Sequence, residues 1–250
     1  MAQDVYIGPR VGGNLSNSVS LETDPGSLNC ASAAVLEQPF ESNTDQLQPV
    51  EIPADLLSEA SVFNEAFCRL FDIVASVGLL LLGCPVIVLI ALLVKISSPG
   101  PVLYKQKRVG KAGRIFVLYK FRTMIENAEK HTGPVLASKN DDRVTSLGRI
   151  LRASRLDETS QLFNVLKGDM SLVGPRPERP YFVCRNSSLQ GLRLSVKPGI
   201  TGLAQIRAFY DLKPEHKLKY DSLYIQNRSL FLNLYILLQT IPVIFLKKGW

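Results

Sequence analysis

VASVGLLLLGCPVIVLIALLV, Val74 to Val94, contains no charged residue. As a straight helix these 21 residues would extend about 31 Å, close to the roughly 30 Å hydrocarbon core of a bilayer. An apolar run of this length argues for a membrane segment and against the core helix of a soluble domain. Pro85 sits near its midpoint, directly after Gly83 and Cys84. A mid-helix proline removes one backbone hydrogen bond and clashes with the preceding turn. The segment therefore either spans the membrane with a kink or turns back on itself, and these residues alone leave both open. On its C-terminal side Lys95, Lys105, Lys107, Arg108, Lys111 and Arg114 mark a cytoplasmic flank. On its N-terminal side Glu65, Arg69 and Asp72 are nearly neutral and do not decide between the two.

Working outward, 250 residues allow one domain or two. The net charge of +7 is divided unevenly: residues 1–60 carry −8 and the remainder +15. A basic body implies an anionic partner, whether phosphate, nucleic acid or an anionic membrane surface. Residues 1–60 are rich in Ser, Asn, Gly, Pro and acids without a sustained period, which predicts a disordered acidic tail. The start of the chain has no basic stretch leading into an apolar one, so no signal peptide is expected. Cys30, Cys68, Cys84 and Cys184 are scattered without CxxC spacing, which suggests neither a zinc site nor a disulfide framework and fits a reducing compartment. His131 and His216 are isolated and read as ordinary histidines, not metal ligands.

After the loop SSPGP, Val102-Leu103-Tyr104 and Ile115 to Tyr119 read as two strands joined through a basic, Gly-rich turn. VGKAG lacks a full GxGxxG and speaks against a dinucleotide-binding turn. Residues 125–142 are polar. Thr145-Ser146 can cap a helix whose apolar positions are Leu147, Ile150, Leu151, Leu162, Val165 and Leu166, with Gly168 at its end. KPGITG, 197–202, reads as a tight turn. The segment LFLNLYILLQTIPVIFL, followed by Lys247-Lys248, fits either the membrane surface or a core helix.

Within RLDETSQLFNVLKGDMSLVGPRPERP, Arg155 to Pro180, stands an acid pair, Asp157-Glu158. On one continuous helix Glu158 falls on the apolar stripe and Asp157 at its edge. A buried carboxylate costs several kcal/mol unless it is paired, or else it titrates to neutral. Both acids could simply be salt-bridged to Arg152, Arg155 or Arg176. Alternatively they form a site, with one carboxylate as nucleophile or metal ligand, the other as acid or base, and the arginines binding phosphate. Arg152 precedes Asp157 by five residues, and on a continuous helix the two would point roughly 140° apart. Shared phosphate binding therefore requires the helix to bend or break near Ser154-Leu156.

YKFRTM (119–124), TSLGRILRASRLDETSQLFNVLKGDMSLVGPRP (145–177), KPGITGLAQI (197–206) and YDSLYIQN (220–227) together resemble the bacterial sugar transferase family, the monotopic polyprenyl-phosphate phosphoglycosyl transferases. The resemblance covers about residues 62–250 and leaves 1–60 outside it. It implies transfer of a phospho-sugar from a UDP-sugar to a polyprenyl phosphate such as undecaprenyl phosphate, with UMP leaving, as the first membrane step of exopolysaccharide or other glycan synthesis. It further implies Asp157 as the nucleophile of a covalent phospho-sugar intermediate and as a ligand of Mg²⁺, with Glu158 supporting it. Lys120, Arg152 and Arg176 would serve phosphate or nucleotide binding, and Asp221, matching a family acid near the site, is grouped with them as a substrate- or phosphate-binding residue. The apolar segment would be re-entrant, breaking at Cys84-Pro85 and returning to the cytoplasmic face of the inner membrane. Three residues depart from the family pattern: Cys84 for the usual serine, Thr159-Ser160 for Leu-Pro, and Asn233 for an aspartate.

The expected fold is thus a small α/β (α+β) membrane-associated domain. It would comprise a tail (1–60), a re-entrant membrane hairpin (61–98) and a cytoplasmic catalytic domain (99–250) with a β-hairpin-like element and interfacial amphipathic helices. The expected partners are a UDP-sugar, polyprenyl phosphate and a lipid bilayer, with no nucleic acid and a homodimer left open. The competing readings are a membrane-anchored basic protein that binds lipid or nucleic acid without chemistry, and a glycosyl transferase that moves the sugar without its phosphate.

Overall fold

A computed structural model describes residues 59–126, 128–129, 141–207 and 214–245. The acidic tail up to residue 58, His131 and most of the polar stretch 125–142 lie outside the described residues. The chain opens with one long helix, α1 (Glu59–Ser97), followed by an antiparallel hairpin of β1 (Leu103–Val109) and β2 (Ile115–Phe121). There follow α2 (Ser146–Ala153), a 3₁₀ turn (Leu156–Gln161), α3 (Leu162–Lys167), β3 (Ser171–Val173) and α4 (Pro180–Arg185). Then come β4 (Gly199–Thr201), α5 (Leu203–Arg207), α6 (Pro214–Gln226) and α7 (Leu230–Phe245). Mixed helix and sheet are as expected. KPGITG, however, is not only a turn: Gly199–Thr201 forms a strand parallel to β3.

Helical backbone continues through Pro85 from one end of α1 to the other, so a change of direction there is a bend within a helix and not a loop. Glu65–Ser97 is long and apolar enough to cross a membrane. Its two ends hold the same domain. Near the start, Arg69 donates to the carbonyls of Val165 (2.6 Å) and Leu166 (3.0 Å), which caps α3, and Asp72 accepts from the Leu172 amide at 3.0 Å. Near the end, Arg122 donates to the carbonyls of Val94 (3.1 Å), Ser98 (2.6 Å) and Pro101 (2.6 Å). Between them Leu81 and Leu82 are 72% and 83% exposed, and Cys84, Pro85 and Val86 are exposed as well.

Side chains alternate across β2. Phe116 and Leu118 enter the main core with Leu162, Val165, Met170, Leu172, Val173, Tyr224 and Ile236. Lys120 is the next residue on that face, since strand side chains repeat every second position. The core periodicity thus delivers a lysine to the interior. Asn164, fully buried, ties α3 to this strand: its side chain donates to the Val117 carbonyl at 2.7 Å and accepts from the Tyr119 amide at 3.1 Å. A second cluster, Ile90, Val94, Phe121 and Leu151, seats the end of α1 against α2.

The β3–β4 pair depends on close backbone approach. A Cβ on Gly199 would lie 2.0 Å from the Gly174 nitrogen, a backbone atom with no room to yield. Gly199→Ala is therefore expected to cost about 3 kcal/mol, the upper range for overpacking. Its check is a thermal melt against wild type; an unchanged Tm would mean the two segments are not packed this closely.

Cys68 and Cys84 are free thiols, as the scattered cysteine spacing suggests, and Cys30 lies outside the described residues. Asn233, at one of the departures from the family pattern, is buried. It accepts from the Tyr224 hydroxyl at 2.9 Å and donates to Cys68 Sγ at 3.5 Å, so the amide serves as core glue.

Candidate active site

The single helix expected over 145–167 is broken. Thr145 caps α2 as anticipated, its hydroxyl accepting from the Gly148 amide at 2.9 Å, and Gly168 ends α3 at φ +96°. Between them Arg155 adopts φ 57°, ψ 12°, the left-handed region that non-glycine residues rarely enter. The chain then continues as the 3₁₀ turn that holds the acid pair. This is the break that shared phosphate binding by Arg152 and Asp157 required. The turn packs on β2, and both carboxylates are buried.

Glu158 is the hub of a cationic ring. Lys120 Nζ lies 2.6 Å and Arg176 Nη2 2.7 Å from its Oε1, while Arg155 Nη1 stands at 4.0 Å. Burial alone would raise the Glu158 pKa, but Arg176 and Lys120 outweigh it and hold the carboxyl well below its ordinary range. Asp157 has the opposite balance. Burial raises its pKa and the Glu158 charge adds to the rise, while Lys120, Arg152 and Arg176 only partly oppose it. Asp157 Oδ1 is buried and has no hydrogen-bond partner. Burial lowers the pKa of Lys120, against the pull of Glu158. Two adjacent acids in one pocket are thus driven apart, Glu158 towards the anion and Asp157 towards a higher pKa.

Arg152 is oriented by YKFRTM: its Nε donates to Thr123 Oγ1 at 2.8 Å. That motif divides its work along the end of β2 and the residues just after it, with Lys120 facing the acids, Arg122 holding the end of α1 and Thr123 aiming Arg152. Arg176 comes from the GPRP segment after β3. Lys120, Arg152 and Arg176, all named from the sequence, are therefore brought around the Asp-Glu pair.

Asp221 is not. Its carboxylate pairs with Arg193 Nε at 2.6 Å, both side chains being almost fully buried. Its family match suggested a phosphate contact, but α6 directs it to a neighbouring ionic cluster with Arg193, Glu178 and Lys217. Arg193, in the short 3₁₀ turn Gly191–Leu194, and Glu178, in a loop, give no signal in the sequence because a lone charge in so short a segment has no period. Cys84 and Pro85 are remote from this cluster and exposed on α1.

Among the described residues no group of three or more His, Cys, Asp or Glu side chains could hold a metal by itself. Mg²⁺ is commonly bound through one or two carboxylates together with substrate phosphates. The buried, unpartnered Asp157 Oδ1 fits that limited role.

The described residues thus bury an acid pair among cations in a domain that also carries a helix long and apolar enough to cross a membrane. The sequence pattern described as "Bacterial sugar transferase" matches residues 63–247. The chain belongs to the bacterial sugar transferase family. It is 44% identical over 187 residues to the UDP-N-acetylgalactosamine-undecaprenyl-phosphate N-acetylgalactosaminephosphotransferase of Aeromonas hydrophila, covering 72% of this chain and 44% of that protein. It is 41% identical over 223 residues to the UDP-glucose:undecaprenyl-phosphate glucose-1-phosphate transferase of Klebsiella pneumoniae, covering 84% and 47%. A protein of the same name from Caulobacter vibrioides is 42% identical over 184 residues, covering 70% and 68%. The chain thus spans under half the length of the first two relatives and about two thirds of the third.

Proposed function

We propose that this chain transfers a phospho-sugar from a UDP-sugar to undecaprenyl phosphate, releasing UMP and forming a diphosphate-linked lipid sugar, an early membrane step of exopolysaccharide or other glycan synthesis. The observation that carries this reading is the buried, unpartnered Asp157 Oδ1 in the field of Lys120, Arg152 and Arg176. The Asp157 carboxylate attacks the phosphorus that bears the sugar, and the bond to UMP breaks. An oxygen of the lipid phosphate then attacks the same phosphorus and the aspartyl–phosphorus bond breaks, which restores the carboxylate. Arg152 and Arg176 bind the diphosphate and offset repulsion between anions. Glu158, held ionised, keeps Lys120 and Arg176 in place and is a poor proton carrier near neutrality. Asp157 would hold Mg²⁺, which supplies neutralisation of the diphosphate charge.

The topology that suits this chemistry is re-entrant. Both ends of the apolar helix grip one basic domain, so both ends belong on the same side of the bilayer, the cytoplasmic face by charge. The exposed residues around Pro85 form the buried tip. Phe231, Leu238 and Ile241 of α7, 84%, 66% and 51% exposed, lie at the interface.

The rate should then require ionised Asp157, whose pKa burial raises. The acid limb of kcat/KM is expected above the ordinary aspartate value of about 4. Lys120→Met, which removes a charge that lowers this pKa, should move the limb to higher pH. A pH series of UMP release checks both; a limb at the ordinary value, or one that Lys120→Met leaves in place, would contradict the assignment.

A lipid- or nucleic-acid-binding protein without chemistry gains nothing from an ionised acid in its basic pocket. A glycosyl transferase would release UDP. The experiment is to give purified protein in lipid particles undecaprenyl phosphate, Mg²⁺ and a panel of UDP-sugars. Lipid-dependent UMP with one donor supports the reading, UDP moves it to glycosyl transfer, and no nucleotide from any donor favours binding alone.

A further inference from the structure

Arg176 acts from a loop, yet the backbone of that loop is tied down at every step. Four successive carbonyls each accept a hydrogen bond: Pro175 from the Gly199 amide (2.9 Å), Arg176 from Arg193 Nη2 (2.7 Å), Pro177 from Arg108 Nη1 (3.0 Å) and Glu178 from the Val109 amide (3.0 Å). Prolines on both sides of Arg176 also fix their own φ angles. A buried guanidinium used to hold one loop carbonyl is a costly tie, because the ion must be compensated. Compensation is present: Arg193 Nε pairs with Asp221 at 2.6 Å, and Arg193 also lies 3.9 Å from Glu178. Arg193 and Asp221 are almost fully buried, with 3% and 2% of their side chains exposed, and Arg193 lines one small cavity together with Arg176 and Glu178.

We propose that Arg193 and Asp221 form a buried positioning unit that fixes the peptide of Arg176 and so aims its guanidinium at Glu158 and at the donor diphosphate. The unit makes no contact with the reacting atoms; it acts wholly through Arg176. This inference rests on the reading of Arg176 as a phosphate-binding arm. It gives Asp221 a role in the site that does not require it to touch phosphate.

Arg193→Lys is the informative variant. A lysine can still neutralise Asp221, but its single ammonium cannot reproduce the planar fork that reaches Asp221 and the Arg176 carbonyl together. Misplacement of a substrate-positioning group by about 1 Å can cost about 100-fold in rate. The expected result is a fall of about 10- to 100-fold in kcat/KM for UMP release in the wild-type background. In an Arg176→Ala background the same change should cost less than about 3-fold, because the group being aimed is gone. Hydrogen exchange of the peptide spanning Gly174 to Glu178 should also rise in Arg193→Lys, a readout that needs no turnover. Asp221→Asn should follow the same pattern. Equal losses in both backgrounds would show a merely structural ion pair and overturn the proposal. So would unchanged exchange in the loop. If wild-type protein releases no UMP, the functional reading fails separately, while the exchange measurement still decides whether Arg193 fixes this loop.

Discussion

Asp157→Asn is expected to reduce UMP release by about 1,000-fold or more while the protein keeps its fold. The substitution preserves shape and replaces a nucleophile by an amide. Its effect on stability should be neutral or favourable. Asp157 is an acid whose ionised form burial disfavours, and a neutral side chain there no longer has to be desolvated as an anion. The paired measurements are initial rates of UMP release and a thermal melt. Activity within about tenfold of wild type would remove Asp157 from the chemistry.

Its neighbour should behave in the opposite sense. Glu158→Gln removes the anion that Lys120 and Arg176 share at 2.6 and 2.7 Å. Breaking a buried pair by deleting one partner costs about 3–5 kcal/mol. The lower end applies here, because both cations keep some contact with solvent. A loss of about 3 kcal/mol in a chain of this size lowers Tm by about 10 °C. Activity falls too, because Arg176 loses its anchor. Adding Lys120→Met to Glu158→Gln should recover part of the stability without restoring turnover. Equal Tm values for wild type and Glu158→Gln would mean that the ring of cations is held by something else. The two acids therefore separate in a single pair of experiments: one substitution that spares the fold and removes the rate, and one that damages both.

The parts of this site that follow local rules were readable in the chain. Charge-free composition gave the long apolar helix, Thr145 and Gly168 gave the helix ends, and two apolar runs flanking a Gly-rich basic turn gave the hairpin. Its motifs placed Lys120, Arg152 and Arg176 with the acid pair. What failed was continuity. Periodicity across 147–166 suggested one helix, because the apolar positions on either side of Arg155 happen to stay in phase. The left-handed turn at Arg155 belongs to a residue with no propensity for it and is imposed by packing on β2. The partner of Asp221 was hidden for a related reason. A motif match carries a residue's vicinity but not its partner, and that partner, Arg193, stands in a short 3₁₀ turn (Gly191–Leu194) too brief to show a pattern. The strand Gly199–Thr201 was hidden because three residues are too few to show a period, and only Gly174 across from it explains why glycine is needed.

The most direct test of the central claim is to look for the aspartyl phospho-sugar itself. Protein would be mixed with its UDP-sugar donor and Mg²⁺ without lipid acceptor, quenched, digested and analysed by mass spectrometry. The account predicts UMP in an amount matching the enzyme, and one phospho-sugar on the peptide that contains Asp157. The adduct should disappear when undecaprenyl phosphate is added and never form in Asp157→Asn. UMP release that occurs only when the lipid is present, with no adduct on any peptide, would mean direct transfer between substrates and would contradict it.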